Sequence, residues 1–326
     1  MMQIAFRIFH KNSLVLIFSL LAKILVAQPM PPLPANQLVL PGKSFSIPLY
    51  WKADLVGTRS EPHAALLVPV KLPGCPKQFY MQFDLGLPYS LFYKNKLTAI
   101  HARYPGTKQW NDTSGKLVNF SFKVGSTSIL AKEMPVQQFD SSSIEWKNKK
   151  AVEIIGTIGA DLIDGKVAVI DYPNKKLVLA DTIPGEFSGM SFSGFIYASR
   201  RVLLPATIGG KQTLLYFDTG SSMYELLTNK TSCEALAIPG SELVQNKVWS
   251  WNKYLVANTR ASNDSVFIGG KNVRLHSTTY IDGVSATQAE QMQKMGIGGM
   301  TGNKLFLEYK LVLDTKNKKF GLMQVP

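Results

Sequence analysis

Short runs in which apolar and polar residues alternate dominate the chain, with turn residues between them. Val118 to Val136 alternates about a turn at Gly125, and Val266 to Tyr280 does the same about Gly269-Gly270. A period of two belongs to a strand with one buried and one wet face. Helical spacing is scarce. One segment, Thr287 to Met295, has Thr287 and Glu290 spaced as a capping box and Gly296 placed as a stop, and it predicts a helix. The pattern as a whole predicts an all-β class.

The runs also repeat. Leu67-Val68-Pro69 is matched by Leu203-Leu204-Pro205, each followed by a glycine-containing turn and a second apolar strand, which predicts a hairpin in each half. These second strands end in Phe83-Asp84-Leu85-Gly86 and Phe217-Asp218-Thr219-Gly220. The two alternating segments about Gly125 and Gly269-Gly270 are the second match. In the third, Ile158-Gly159-Ala160-Asp161-Leu162 leads to Ala168-Val169-Ile170-Asp171, and Thr301-Gly302-Asn303-Lys304-Leu305 leads without a gap to Leu311-Val312-Leu313-Asp314. Three blocks in the same order imply a duplicated domain. The stretch 183–193 is rich in Pro, Gly and Ser and suits a linker, which places one lobe at 40–182 and the other at 194–326. A length of 326 residues is enough for two modest cores.

Upstream of the repeat, Arg7 and Lys11 precede an apolar run from Leu14 to Ala27 that ends in small residues before a Pro-rich stretch. This reads as a signal peptide over 1–27 cleaved near Ala27, followed by an extension over 28–39. The expected product is secreted or periplasmic, with no stable membrane insertion. The stretch from Gln28 to Ala65 is short for a propeptide, which leaves either little zymogen control or a short inhibitory strand.

The net charge of +14 implies affinity for anionic surfaces, but the basic residues are scattered apart from Lys147 to Lys150 and Lys316 to Lys319, both placed as turns. A solvated basic surface is the reading, with no nucleic-acid partner. Cys75 and Cys233 stand at unrelated places in the two halves; their pairing is left open, with two separate thiols favoured. His63, His101 and His276 lack metal-ligand spacing, and neither CxxC nor HExxH occurs, so no metal and no cofactor are expected. The glycine-rich stretch Gly296 to Gly302 lacks the lysine of a phosphate loop, and no G-x-S-x-G elbow is present.

What remains is the pair of aspartates. An Asp followed by one residue and Gly at the end of an apolar strand sits on a tight loop at the edge of a core, because Gly lets the backbone turn and approach closely. Two such loops facing each other would set two carboxyls against one water. Like charges that close do not both ionise readily, so the pair shares a proton. One carboxylate can then deprotonate the water while the protonated partner hydrogen-bonds the peptide carbonyl oxygen.

These motifs resemble those of the pepsin-like aspartic proteases, with small lobes similar to retroviral-type protease subunits fused in tandem. The resemblance rests on Phe217-Asp218-Thr219-Gly220-Ser221-Ser222, on the degenerate Phe83-Asp84-Leu85-Gly86-Leu87, on Thr157-Ile158-Gly159 and Met300-Thr301-Gly302, and on the closing run Gly302 to Met323. It implies two pseudo-twofold-related β-barrel lobes with a cleft between them, a monomer, and a peptide or protein substrate. It also implies catalytic roles for Asp84 and Asp218, with support from Gly86, Thr219, Gly220 and Ser221. A flap over the cleft is expected from lobe one, with Tyr104 and Trp110 as candidates; Trp249 and Trp251 are expected in core or rim packing. Leu85 and Leu87 depart from the Thr or Ser found at these places in the family, so lobe one lacks two hydroxyls that would hold its aspartate. An aspartic endopeptidase is the leading reading. The rivals are a non-catalytic peptide-binding relative on the same fold and a basic cell-surface or adhesion protein.

Overall fold

A computed structural model of the chain describes residues 33–325, other than 58, 110–112, 140, 149, 251–252, 284–291 and 293. The signal segment, Trp110, Trp251 and most of the expected helix at 287–295 lie outside the described residues. The first half runs β1 (Leu38–Val39), β2 (Phe45–Pro48), β3 (Tyr50–Val56), β4 (Arg59–Lys71), β5 (Gln78–Phe83), β6 (Leu91–Tyr93), α1 (Lys94–Arg103), β7 (Lys116–Val124), β8 (Thr127–Gln137), β9 (Ile154–Ile158), β10 (Val167–Asp171) and β11 (Lys176–Ala180). The second runs β12 (Ser193–Gly194), β13 (Ile196–Ala198), β14 (Arg201–Ile208), β15 (Lys211–Phe217), α2 (Lys230–Leu236), β16 (Val244–Ser250), β17 (Lys253–Ala261), β18 (Ser265–Ile268), β19 (Lys271–Arg274), β20 (Ser277–Asp282), β21 (Ile297–Thr301), β22 (Tyr309–Asp314) and β23 (Lys319–Gln324). Among the described residues no helix is long and apolar enough to cross a membrane.

The repeat is visible in the strand pairing. A six-stranded sheet in the order β12-β23-β22-β10-β11-β2 takes three strands from each half. At its centre β10 and β22 are antiparallel, and Val169 lies opposite Val312, its own counterpart in the sequence repeat. Val167 faces Asp314 and Asp171 faces Lys310, so exchanging the halves reproduces the register. A pseudo-twofold axis therefore passes between the two valines. β10 is buried along its whole length because it is covered on both faces, and so its sequence Val-Ala-Val-Ile-Asp shows no alternation.

The turns that follow Asp171 and Asp314 also correspond. Asp171 accepts the backbone N–H of Asn174 at 3.1 Å, and Asp314 that of Asn317 at 2.9 Å. Lys175 and Lys318 then take positive φ angles of 51° and 55°. The stretch 183–193 is not bare chain: Phe187 is fully buried against Val167, Val169 and Val312 on the sheet's outer face.

Each half carries a further sheet in which the strand ending at its aspartate runs parallel to a later strand. Phe83 of β5 pairs with Ile158 of β9, and Phe217 of β15 with Thr301 of β21. The principal core lies behind these strands, with Phe79, Met81 and Phe83 in one half and Leu215, Phe217 and Phe306 in the other.

The halves differ in their hairpins. β3 and β4 form a long hairpin, whereas their counterparts β13 and β14 turn tightly at Ser199-Arg200, both with positive φ. Conversely, β16 and β17 form a hairpin that joins β20 in a three-stranded sheet of the second half. Among the described residues no such hairpin occupies that place in the first half, where α1 is followed directly by the residues expected to form a flap. Tyr104 sits at the C-terminal end of α1 and packs edge-on against Trp146 at 5.8 Å, beside the core. It is not a cleft residue, which corrects the expectation for Tyr104.

Neither α1 nor α2 was expected from the periodicity of the sequence. α1 buries only Lys96, Leu97 and Ile100, too few apolar positions to show a helical stripe, and α2 is seven residues long with only Cys233 and Leu236 buried. Both cysteines are free and buried.

Candidate active site

The ends of β5 and β15 meet across the pseudo-twofold axis. Backbone N–H groups of Asp84 and Asp218 donate to the carbonyls of Ile158 and Thr301, which extends each parallel pairing by one residue and fixes where the carboxyls emerge. Each carboxylate is then gripped by its own loop. Gly86 N donates to Asp84 Oδ1 at 2.9 Å and Gly220 N to Asp218 Oδ1 at 2.8 Å.

The glycines serve the opposite aspartate as well. A Cβ on Gly86 would lie 2.5 Å from Asp218 Oδ1, and one on Gly220 would lie 2.5 Å from Asp84 Oδ1. Only a residue without a side chain lets the two loops approach this closely. The carboxyls are near enough to hydrogen-bond each other.

Thr219 ties the loops together. Its Oγ1 accepts from Leu85 N and donates to Phe83 O, both at 2.8 Å and both buried. The reciprocal pair would need a hydroxyl at 85, where Leu85 instead packs fully buried in the core. Ser221 Oγ donates to Asp218 Oδ2 at 2.9 Å. At the matching place the Leu87 side chain has nothing to donate, so apart from the Asp218 carboxyl the Asp84 carboxyl is supported by backbone N–H groups of its own loop and by no hydroxyl. The loss of hydroxyls read from the sequence thus has a physical consequence on one carboxyl only.

That asymmetry sets the titration. Burial, then the charge of Asp218, holds the Asp84 carboxyl well above the usual carboxylate range. Burial also raises Asp218, but hydrogen bonds from the Asp84 carboxyl, Ser221 and Gly220 oppose the rise. Both carboxyls are thus held toward the protonated form, and the hydroxyl support of Ser221 falls on Asp218 alone.

Several supporting residues were not singled out from sequence. Asn303 Nδ2 donates to Thr219 O and Ser222 Oγ, both at 2.9 Å, and its Oδ1 accepts from Tyr172 OH at 2.7 Å. In the first half Ala160 stands at that place, and Ser90 with Asp161 takes over. Ser90 donates through N at 2.8 Å and through Oγ at 2.7 Å to the Asp161 carboxylate, while Gly159 N donates to Ser90 Oγ. Tyr216 OH donates to Gly86 O at 3.2 Å, and burial followed by the two aspartate charges pushes that phenol up. Tyr216 and Gln82 each stand two residues before an aspartate, and a polar group in an otherwise apolar strand is the signal that marks them.

The dyad is covered: Asp84 is 1% and Asp218 2% exposed. The β3–β4 hairpin reaches from the first half onto the second. Val56 packs against the apolar cluster that contains Tyr216, Met223, Val248 and Leu255. Arg59 pairs with Glu242 at 3.3 Å and Glu61 with Lys304 at 2.8 Å. In the opposite direction, buried Arg200 ties the second half to Asp164 at 2.8 Å and to the carbonyls of Pro88 and Pro34.

Asp84, Asp218, Gly86, Thr219, Gly220 and Ser221 are thus brought to one place; Tyr104 is not, and Trp110 lies outside the described residues. The sequence matches no family model and no curated protein. Among solved structures, the chain is similar to the crystal structure of aspartic proteinase from Irpex lacteus, with 14% identity and a TM-score of 0.47 over 86% of this chain and 97% of that one.

Proposed function

We propose that the chain is an aspartic endopeptidase, hydrolysing peptide bonds in an extended substrate with a water activated between Asp84 and Asp218. The observation that carries this reading is the reciprocal dyad: two buried carboxyls, each held by its own loop glycine and each closely approached by the other's. Asp218, ionised, takes a proton from the water as its oxygen attacks the scissile carbonyl carbon. Asp84, protonated, gives its proton to the carbonyl oxygen. The resulting diol collapses, the C–N bond breaks, and the proton held by Asp218 passes to the departing amine. Asp84 recovers its proton from the diol hydroxyl, so the pair is restored without a covalent intermediate.

Both carboxyls are buried, so substrate entry requires the halves to open, and the β3–β4 hairpin that bridges them is the segment to lift. This hairpin includes part of the stretch in which a short inhibitory strand is expected. Secretion directed by residues 1–27 and a monomeric state complete the reading.

A peptide library incubated at acidic pH is the test. Cleavage that is blocked by pepstatin and lost in both Asp84→Asn and Asp218→Asn supports the enzyme; cleavage that survives both changes rejects the dyad. A second reading, a peptide-binding protein without turnover, is favoured by Leu85 and Leu87, which leave the Asp84 carboxyl without a hydroxyl donor. Saturable peptide binding with no products would select it.

A further inference from the structure

A polar side chain that the dyad does not use is buried two residues before Asp84. Gln82 has no exposed surface, and among the described residues neither Oε1 nor Nε2 has a hydrogen-bond partner. Burying an amide without compensation costs roughly 1–3 kcal/mol, so such a group marks a place where another polar molecule belongs.

Strand register fixes where that place is. Leu67, Gln82 and Thr157 lie side by side on β4, β5 and β9 and share one face of the sheet. Met81 and Phe83 point the other way, into the core. Gln82 is therefore on the face away from the core, the same face as Asp84 two residues on. Thr157 Oγ1 is already engaged with Tyr93 OH at 2.9 Å, which leaves the Gln82 amide, among the described residues, as the uncommitted polar group beside Asp84. Lobe two differs at the equivalent face, where Tyr216 spends its hydroxyl on Gly86 O and is flanked by Leu203 and Met300.

We infer that Gln82 is a specificity-determining residue, forming beside Asp84 a polar subsite that accepts an amide-bearing side chain, asparagine or glutamine, of the bound peptide. This rests on the peptidase reading and names its substrate class. A primary amide presents a donor and an acceptor together, and its complement is another primary amide, which makes two hydrogen bonds with Gln82. A hydroxyl makes one. An aliphatic side chain makes none and leaves the buried amide orphaned, which is the costly case. A carboxylate brings a further negative charge next to the dyad. The expected preference for glutamine over isosteric norleucine is roughly 10- to 100-fold in kcat/KM.

The test uses the full chain and peptides that differ only at the residue next to the scissile bond on the lobe-one side, with Gln, Asn, norleucine or Leu there. Wild type is expected to prefer Gln and Asn. Gln82→Met, close in shape and lacking the amide, is expected to reverse the preference and to melt no lower than wild type. Gln82→Leu serves if the Met variant does not fold. The same peptides with a non-cleavable hydroxyethylene unit in place of the scissile bond are titrated by calorimetry. An amide preference in binding with no cleavage of any peptide keeps the subsite and rejects the peptidase. Cleavage with equal or aliphatic preference, unchanged in the Gln82 variants, rejects the subsite and keeps the peptidase. Failure of every peptide to bind or be cleaved overturns it as well.

Discussion

Thr219→Val isolates the one hydroxyl that joins the two aspartate loops. Valine has nearly the shape of threonine, so the change removes hydrogen bonding and leaves packing in place. Two buried backbone groups from the other half lose their partner, Leu85 N and Phe83 O, each 2.8 Å from Thr219 Oγ1. Leaving a buried donor or acceptor unsatisfied costs about 1–3 kcal/mol, and two of them together give a destabilisation of about 2–6 kcal/mol. A symmetric pair of threonines could share that loss, but position 85 is leucine and offers no second arm. Urea denaturation at constant pH, extrapolated to water, measures the change, and thermal melting should fall in parallel. Leu85→Thr is the companion: its hydroxyl would approach Phe217 O and Thr219 N at some loss of apolar burial, and it should lie within about 1 kcal/mol of wild type. If Thr219→Val shifts stability by less than about 0.5 kcal/mol, the two bonds do not hold the loops together, and the account of how the site is built is wrong.

Three further outcomes follow from the same contacts. Burial raises the Asp161 carboxyl from 3.8 to about 6. A raised folded pKa favours the folded state while the group is protonated, so this contribution is fully present below pH about 4 and lost as pH rises through about 6. That amounts to on the order of 3 kcal/mol. In Asp161→Asn the fall in stability between pH 4 and 6 should flatten, leaving the part due to the dyad, whose pKa shifts act in the same direction; an unchanged slope in urea titrations would count against the buried carboxyl. Val56→Asp should weaken the seat of the β3–β4 hairpin and speed esterification of Asp84 and Asp218 by an epoxide, read by mass spectrometry, whereas equal labelling rates would show that the hairpin does not guard the dyad. Gly220→Ala would bring a methyl to 2.5 Å from Asp84 Oδ1; it should abolish turnover and lower stability by about 1–3 kcal/mol, and a variant with normal activity would contradict the close approach of the loops.

Much of the architecture was legible because duplication is written in order along the chain. The motif following Gly159 and that following Gly302 are alike, and the pairing of Val169 with Val312 is what two copies of one motif produce about a twofold axis. The meeting of Asp84 with Asp218 was legible for the same reason. The chain did not show α1 or α2, because a helix that buries two or three side chains leaves no stripe. Nor did it show which half supplies the hairpins. Length and turn residues mark a hairpin without saying what it covers, and Tyr104, aromatic and next to a Pro-Gly turn, looked like a flap while its packing partner Trp146 lay far along the sequence.

By itself, then, the sequence determined the local devices: alternating strands, Asp-x-Gly loops, and the replacement of two loop hydroxyls by Leu85 and Leu87. Only the tertiary structure decided what that replacement means. Burial depth, the reciprocal approach of Gly86 and Gly220, and the single bridge through Thr219 are relations between residues more than a hundred positions apart. They leave Asp84 with fewer donors than Asp218, and in a dry site the carboxyl with fewer donors is the harder one to ionise.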